Sequence, residues 1–114
     1  MAYKRGNVVL VRFPNTDLTT FKNRPALIVQ SDFVKTGIAQ RIVVLITSNA
    51  GRKGPTRVPV SSSSDLGHEM GILVDSVIVV DNIATVPEKA LHRVIGRCSF
   101  MDKIDVALRL ALSL

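Results

Sequence analysis

Two stretches decide how this chain folds: Asn23-Arg24-Pro25-Ala26-Leu27-Ile28-Val29 and Val43-Val44-Leu45-Ile46-Thr47-Ser48. Each is a short apolar run with turn formers near its ends, which is the pattern of a strand. Each also carries polar groups at one end. Arg24 enters the first run, and Thr47 and Ser48 leave the second. If the two strands pair, a guanidinium and two hydroxyls meet at one rim of a small sheet. A planar arginine fork beside a hydroxyl suits a phosphate, so the pairing points to phosphodiester chemistry.

The flanking sequence supplies the rest of the sheet. Residues 7–13 read as a strand stopped by Pro14, and residues 15–23 as a polar connection rich in turn formers. Residues 25–30 form the second strand, with Pro25 tolerated at its start, and residues 40–47 the third. A basic, glycine-containing loop follows at 49–55, then a short strand at 56–60 and a serine-rich loop at 61–67. The β-branched runs 71–80 and 83–86 are strand-like. Pro87 stands at a first helical position, so 87–91 reads as a single turn before a last strand over 92–99. A helix ends the chain. Ser99 is placed to cap it, Asp102 completes a capping-box pattern, and Ile104, Ala107, Leu108, Ala111 and Leu112 follow helical spacing. There is no repeat and no linker. The expectation is one mainly β (α+β) domain over residues 1–114, a small, partly open barrel with a C-terminal helix.

Composition narrows the function. A chain of 114 residues with 46% apolar content builds one core and is not disordered. A net charge of +6 favours polyanions, nucleic acid first. With 4% aromatics and no Trp, the composition argues against a multi-aromatic stacking platform like that of an RNA-recognition motif, and charge and hydrogen bonds are expected to supply most of the affinity. The single cysteine, Cys98, permits no internal disulfide and fits a reducing cytoplasm. It lies in an apolar stretch and reads as a small core residue rather than a nucleophile. No His/Cys cluster has metal-ligand spacing, so no metal site is expected. The apolar run 8–11 is too short for a signal peptide, and no run is long enough to span a membrane.

Taken in order, several segments resemble the MazF/PemK toxins of bacterial toxin–antitoxin systems. They are Gly6-Asn7-Val8-Val9-Leu10-Val11-Arg12-Phe13-Pro14, Arg24-Pro25-Ala26-Leu27-Ile28-Val29, Leu45-Ile46-Thr47-Ser48, the stretch from Asp75 to Val86, Ile95-Gly96-Arg97 and the terminal helix. The resemblance covers nearly the whole chain. It implies an SH3-like barrel (the CcdB/MazF-like toxin fold) that forms a homodimer. The implied activity is a ribosome- and metal-independent endoribonuclease, without cofactor, that cuts single-stranded RNA at a short sequence. It also implies a cognate antitoxin whose acidic tail occupies the RNA site. The family's catalytic arginine and hydroxyl map onto Arg24 and Thr47. One departure is local: where many members have Asp-Gln-Ile-Arg-Thr, this chain has Asp81-Asn82-Ile83-Ala84-Thr85 and lacks the basic residue at Ala84.

The reaction so implied uses the RNA's own 2′-hydroxyl and leaves a 2′,3′-cyclic phosphate and a 5′-hydroxyl. Arg24 fits the stabiliser of phosphoryl charge. It does not fit the base, because a guanidinium stays protonated. Thr47 holds substrate or positions a proton, with Ser48 beside it. The base is left open between His68, read in a loop, and Asp81, read at a strand end. Lys22, Arg52, Lys53 and Arg57 are the residues to steer RNA, with Asn82 as a further contact. Asn15, Thr16, Thr19 and Phe21 are read as a gating loop, Phe21 stacking on a base or packing back on the barrel. Two other functions compete: a gyrase poison of the same fold, disfavoured by the absence of a C-terminal Trp, and an inactive nucleic-acid or antitoxin-binding module.

Overall fold

A computed structural model describes residues 3–14, 17, 19–49, 51 and 53–114. In chain order the elements are β1 (Asn7–Pro14), β2 (Phe21–Ile28), β3 (Gln40–Thr47), β4 (Arg57–Val60), α1 (Asp65–Met70), β5 (Ser76–Pro87), a 3-10 turn (Glu88–Ala90), β6 (Leu91–Arg97) and α2 (Met101–Leu112). The strands form one six-stranded sheet in the order β4-β5-β3-β2-β1-β6. Every neighbouring pair is antiparallel.

The unbroken Val/Ile/Leu runs are explained by burial on both sides of the sheet. On one face Val8, Leu27, Val44, Ile46, Ile78 and Val80 pack beneath Met70 of α1 and Ile104 and Ala107 of α2. On the other, Val9, Val11, Ala26, Ile28 and Val43 pack with Val86 and Leu91. Helix α2 is tied to the start of the chain by Arg5, whose guanidinium donates to Asp105 and to the Val29 carbonyl.

Strand β5 is second in the sheet and β6 is last, yet the three residues Glu88–Ala90 join them. So short a link obliges the sheet to curl over the second core. The turn is pinned where it crosses: the Glu88 N–H donates to the Ala39 carbonyl at 2.9 Å, and Arg41 donates to the Glu88 carboxylate at 2.6 Å. The Tyr3 hydroxyl donates to the Leu91 carbonyl beyond it. Strands β4 and β6 do not pair with one another, so the sheet curls without closing.

Three register shifts accompany the curl, including one at Val8/Val9 that leaves Ile95 of β6 unpaired. Val44 pairs Ile83 and Leu45 pairs Val79, which leaves Val80, Asp81 and Asn82 without counterparts on β3. Leu10 pairs Arg93 and Val11 pairs Leu91, which leaves His92 unpaired on β6.

Several boundaries differ from the reading of the sequence. Strand β2 begins at Phe21 rather than Pro25, because Phe21 to Arg24 pair with β1. The two runs read at 71–80 and 83–86 are one strand, Ser76–Pro87, with the bulge where a break was expected. Residues 71–75 are not strand. The serine loop ends in a helix: Ser64 accepts from the Gly67 N–H and so caps α1. The last strand is Leu91–Arg97 rather than 92–99. Ser99 does not cap α2. Phe100 occupies that position without a side-chain bond, and the Ser99 hydroxyl donates to Glu69. Residues 77–80 are in the interior and offer no apolar surface to a second copy. Cys98 is buried among the first core, and burial pushes its thiol pKa up.

Gly96 marks where α1 touches the sheet. A Cβ there would lie 2.3 Å from the Met70 carbonyl carbon and 2.4 Å from the Glu69 oxygen, both backbone atoms of α1. Backbone cannot swing aside as a side chain does. Gly96→Ala is expected to cost about 2 kcal/mol or more. In a thermal melt that is a fall of roughly 10 °C.

Candidate active site

Strand register places Arg24 and Thr47 on one face of neighbouring strands. The β2–β3 ladder runs Ile28↔Val43, Leu27↔Val44 and Ala26↔Leu45. Pro25, which has no N–H to donate, lies just past the last pair. The same register carried onward sets Arg24 opposite Thr47, a position with Cα atoms roughly 5 Å apart in a regular sheet. Across the sheet, Arg24 pairs Val11, Thr47 pairs Val77, and Val77 pairs Pro59. Directly paired residues point to the same side. Arg24 and Thr47 therefore face the same side of the sheet, on the neighbouring strands β2 and β3 beyond the last β2–β3 pair, at the rim of the second core.

Neither group is consumed by the fold. Arg24 is exposed, and among the described residues its guanidinium has no carboxylate or carbonyl partner. The Thr47 hydroxyl accepts from the Asn49 N–H at 3.1 Å, and Asn49 in turn accepts from the Gly51 N–H. This turn fixes the hydroxyl and leaves its proton to donate. Asn49 is the residue that sequence reasoning passed over; the Thr-x-Asn spacing after a strand was its signal. Ser48 is exposed beside it, and Lys22 shares the side of β2 that Arg24 occupies.

One row further along, Ala26, Leu45, Val79 and Arg57 are paired in turn across β2, β3, β5 and β4. Arg57 thus faces the same side as Thr47, two strands away. Its Nε and Nη2 both donate to Asp81 at 3.2 Å, its Nη1 donates to the Lys53 carbonyl, and the Thr56 hydroxyl donates to Asp81 at 3.1 Å. A cleft of about 480 Å³ lies beside this row, lined by Lys53, Arg57, Pro59, Ser76 and Val77. It opens directly off the Thr47–Val77 pair.

The remaining expected residues scatter. Asp81 is at the bulge, where hydrogen bonds from Arg57, then Thr56, hold its carboxyl below the usual carboxylate range. An ion-paired carboxylate is a poor proton acceptor. Asn82 is exposed at the same bulge. His68 is on α1 rather than in a loop, and α1 packs on the face of the sheet away from Arg24. Thr19 is exposed and its N–H donates to Asp17. Phe21 neither gates the rim nor packs into the barrel: it alternates with Lys22 and Arg24 on β2, is half-exposed, and has the Arg12 guanidinium 4.6 Å from its ring centre. Asn15, Thr16 and Arg52 lie outside the described residues. Ala84 packs against the second core opposite Val43 and carries no charge into the site. Among the described residues, no three His, Cys, Asp or Glu side chains converge as metal ligands.

The Asp81–Arg57 pair has a pH signature. A carboxylate whose pKa is depressed on folding stabilises the fold above its unfolded pKa, near 4, and loses that contribution as pH falls through the folded value. Asp81→Asn removes the titration. Thermal melts should show the variant less stable than wild type near neutral pH, with the gap narrowing below roughly pH 4.

Solved structures share this fold along their whole length. An endoribonuclease from a mycobacterial species is 27% identical with a TM-score of 0.73, covering 100% of this chain and 94% of its own. A second mycobacterial endoribonuclease, in complex with its cognate antitoxin, is 28% identical with a TM-score of 0.74, covering 99% and 97%. The Mycobacterium tuberculosis toxin MazF-mt6 is 26% identical with a TM-score of 0.74, covering 95% and 97%. A comparison with curated proteins gave no match. The model of the PemK-like, MazF-like toxins of type II toxin–antitoxin systems matches residues 4–114, and the chain belongs to that family.

Proposed function

We propose that this toxin is an endoribonuclease that cuts single-stranded RNA with Arg24 and Thr47. The observation that carries the reading is an arginine with no partner among the described residues, on the same face of the sheet rim as a fixed hydroxyl on the next strand. Two mycobacterial structures with this fold are endoribonucleases, which supports it.

In the reaction the RNA's 2′-oxygen attacks the adjacent phosphorus. A bond forms to O2′ as its proton passes to a base, the bond to O5′ breaks as O5′ takes up a proton in return, and the products are a 2′,3′-cyclic phosphate and a 5′-hydroxyl. The requirement for a 2′-hydroxyl separates RNA from DNA. Arg24 binds the non-bridging oxygens and offsets the charge that builds on them. The Thr47 hydroxyl, held by Asn49, donates to the phosphoryl group. Lys22 and Lys53 flank the rim and draw in the backbone. The cleft beside Val77 is large enough for a base, with Arg57 at its wall. No step asks for water or a metal. The proton acceptor for the 2′-hydroxyl is a separate group, since neither Arg24 nor Thr47 is a base at neutral pH.

The protein works in the cytoplasm, where its RNA is, and is restrained by a cognate antitoxin whose acidic tail takes the place of RNA. It acts as a homodimer. Val106, Leu110, Leu112 and Leu114 are exposed on or just after α2 and give a second copy an apolar face to cover. Sedimentation equilibrium should return twice the chain mass; a single-chain mass at every concentration would remove the dimer.

Cleavage of a long single-stranded RNA in EDTA tests the mechanism. Wild type should give discrete cuts ending in cyclic phosphate. Arg24→Ala should slow them by roughly a hundredfold or more, the scale for losing a charge-stabilising donor, and Thr47→Val by less. Strict dependence on added magnesium would defeat the mechanism. No cutting by a protein that still arrests growth would redirect attention to a target such as gyrase.

A further inference from the structure

The groups left over by this reading converge on the opposite side of the β1–β2 ribbon. Arg12 pairs Asn23, and Pro14 pairs Phe21. These positions alternate with Val11, Lys22 and Arg24, so Arg12, Phe21 and Asn23 project from the other side. There a pocket of about 420 Å³ is lined by Arg12, Phe21, Asn23, Lys89, Ala90 and His92.

Three features make this more than a basic patch. The Arg12 guanidinium lies 4.6 Å from the Phe21 ring centre, so the two planar groups form a stacked platform, and Phe21 is 52% exposed. His92 is left unpaired by the second of two register shifts on β6, and a bulge re-aims a side chain that a regular strand would point elsewhere. Lys89 is presented by the short turn whose own carboxylate, Glu88, is already engaged by Arg41 on the far side. No acidic side chain lines the pocket, and among the described residues Arg12, Lys89 and His92 form no ion pair. Hydrogen-bond donors converge beside an aromatic plane, and none of the described residues satisfies them.

We propose that this pocket holds one nucleotide of the RNA strand, outside the segment being cut. The base extends the Arg12–Phe21 stack, Asn23 meets its polar edge, and Lys89 and His92 take the phosphate. Asn23 precedes Arg24 in sequence, so a strand passing the rim reaches this pocket by rounding the end of one ribbon. The identification as RNA rests on the nuclease reading above; the nucleotide chemistry of the pocket rests on its own residues.

The first test is amide shifts of the labelled protein on titration with adenosine 5′-monophosphate, inorganic phosphate and poly-glutamate. Nucleotide should move the Arg12, Phe21, Asn23 and His92 amides, and Arg12→Ala/Lys89→Ala should abolish those shifts while leaving the rest of the spectrum in place. Shifts confined to Arg24 and Thr47, or equal shifts with phosphate alone, would overturn the assignment. So would shifts with poly-glutamate only, which would give the pocket to an acidic protein segment. The second test compares RNAs carrying the same cut site with short and long flanks. The double variant should raise KM for the long RNA about tenfold, the loss of one stacked base. It should leave kcat, and all kinetics on the short RNA, unchanged. Equal loss on both RNAs would overturn the proposal. A protein that cuts no RNA yet shows the nucleotide shifts would overturn the nuclease reading and leave the pocket standing.

Discussion

The link Glu88–Ala90 is the constraint on which the rest depends. It joins the second strand of the sheet to the sixth with three residues. A flat sheet separates strands so placed by roughly 19 Å, and the chain crosses that span only if the sheet bends around it. Bending wraps the second core, so that Val9, Ala26 and Val43 are shielded by Val86, Leu91 and Ala90 rather than by a helix. It also accounts for the bulges. A strand on a tightly curved sheet cannot keep step with its neighbours, and both β5 and β6 carry unpaired residues where they turn.

The functional surface follows from the same bend. The second core covers the sheet only part of the way along its strands, and Arg24 and Thr47 are on the side of the sheet it occupies, at its edge. At that point the sheet has run out of apolar cover but not of regular geometry. A side chain there is held by strand register yet remains open to a substrate. Loops do not offer that combination. Thr47 adds one local device, the Asn49 turn, which fixes the hydroxyl at the last residue of the strand.

Much of this was legible in the chain because it is local. The runs around Ala26–Val29 and Val43–Ile46 announce strands through β-branched content, and their polar ends announce the rim. The terminal helix was plain from its spacing. What escaped was non-local. That α1 forms at Asp65–Met70 depends on Gly67 and Gly71 letting its backbone press against Ser61 and Ile95, contacts no window of sequence displays. Ser99 looked like a cap, but Glu69 on another helix captured its hydroxyl. His68 was readable as a titrating loop residue only while its helix went unseen. Asp81 was readable as a base only while Arg57, distant in sequence, was not known to lie beside it. In each case a tertiary partner overrode a correct local preference.

The contrast between two arginines on one side of the sheet shows how the fold distributes its positive charge. Arg57 is fixed by Asp81 and the Lys53 carbonyl, so its charge is largely spent inside the protein and its shape becomes part of a cleft wall. Among the described residues Arg24 has no such partner. A guanidinium on the same side of β2 as Lys22 gains nothing for stability from that neighbour, since like charges on a small sheet repel. Its cost is met only when a polyanion arrives. With a net charge of +6, much of the chain's positive surface is unsatisfied in this way. On the function proposed above, the consequence is mutual exclusion: an acidic polypeptide and a ribose-phosphate strand would compete for the same cations, so a site suited to one is suited to the other. Restraint by an antitoxin with an acidic tail then needs no second allosteric site. It needs only a partner whose carboxylates reach Arg24 before a phosphate does.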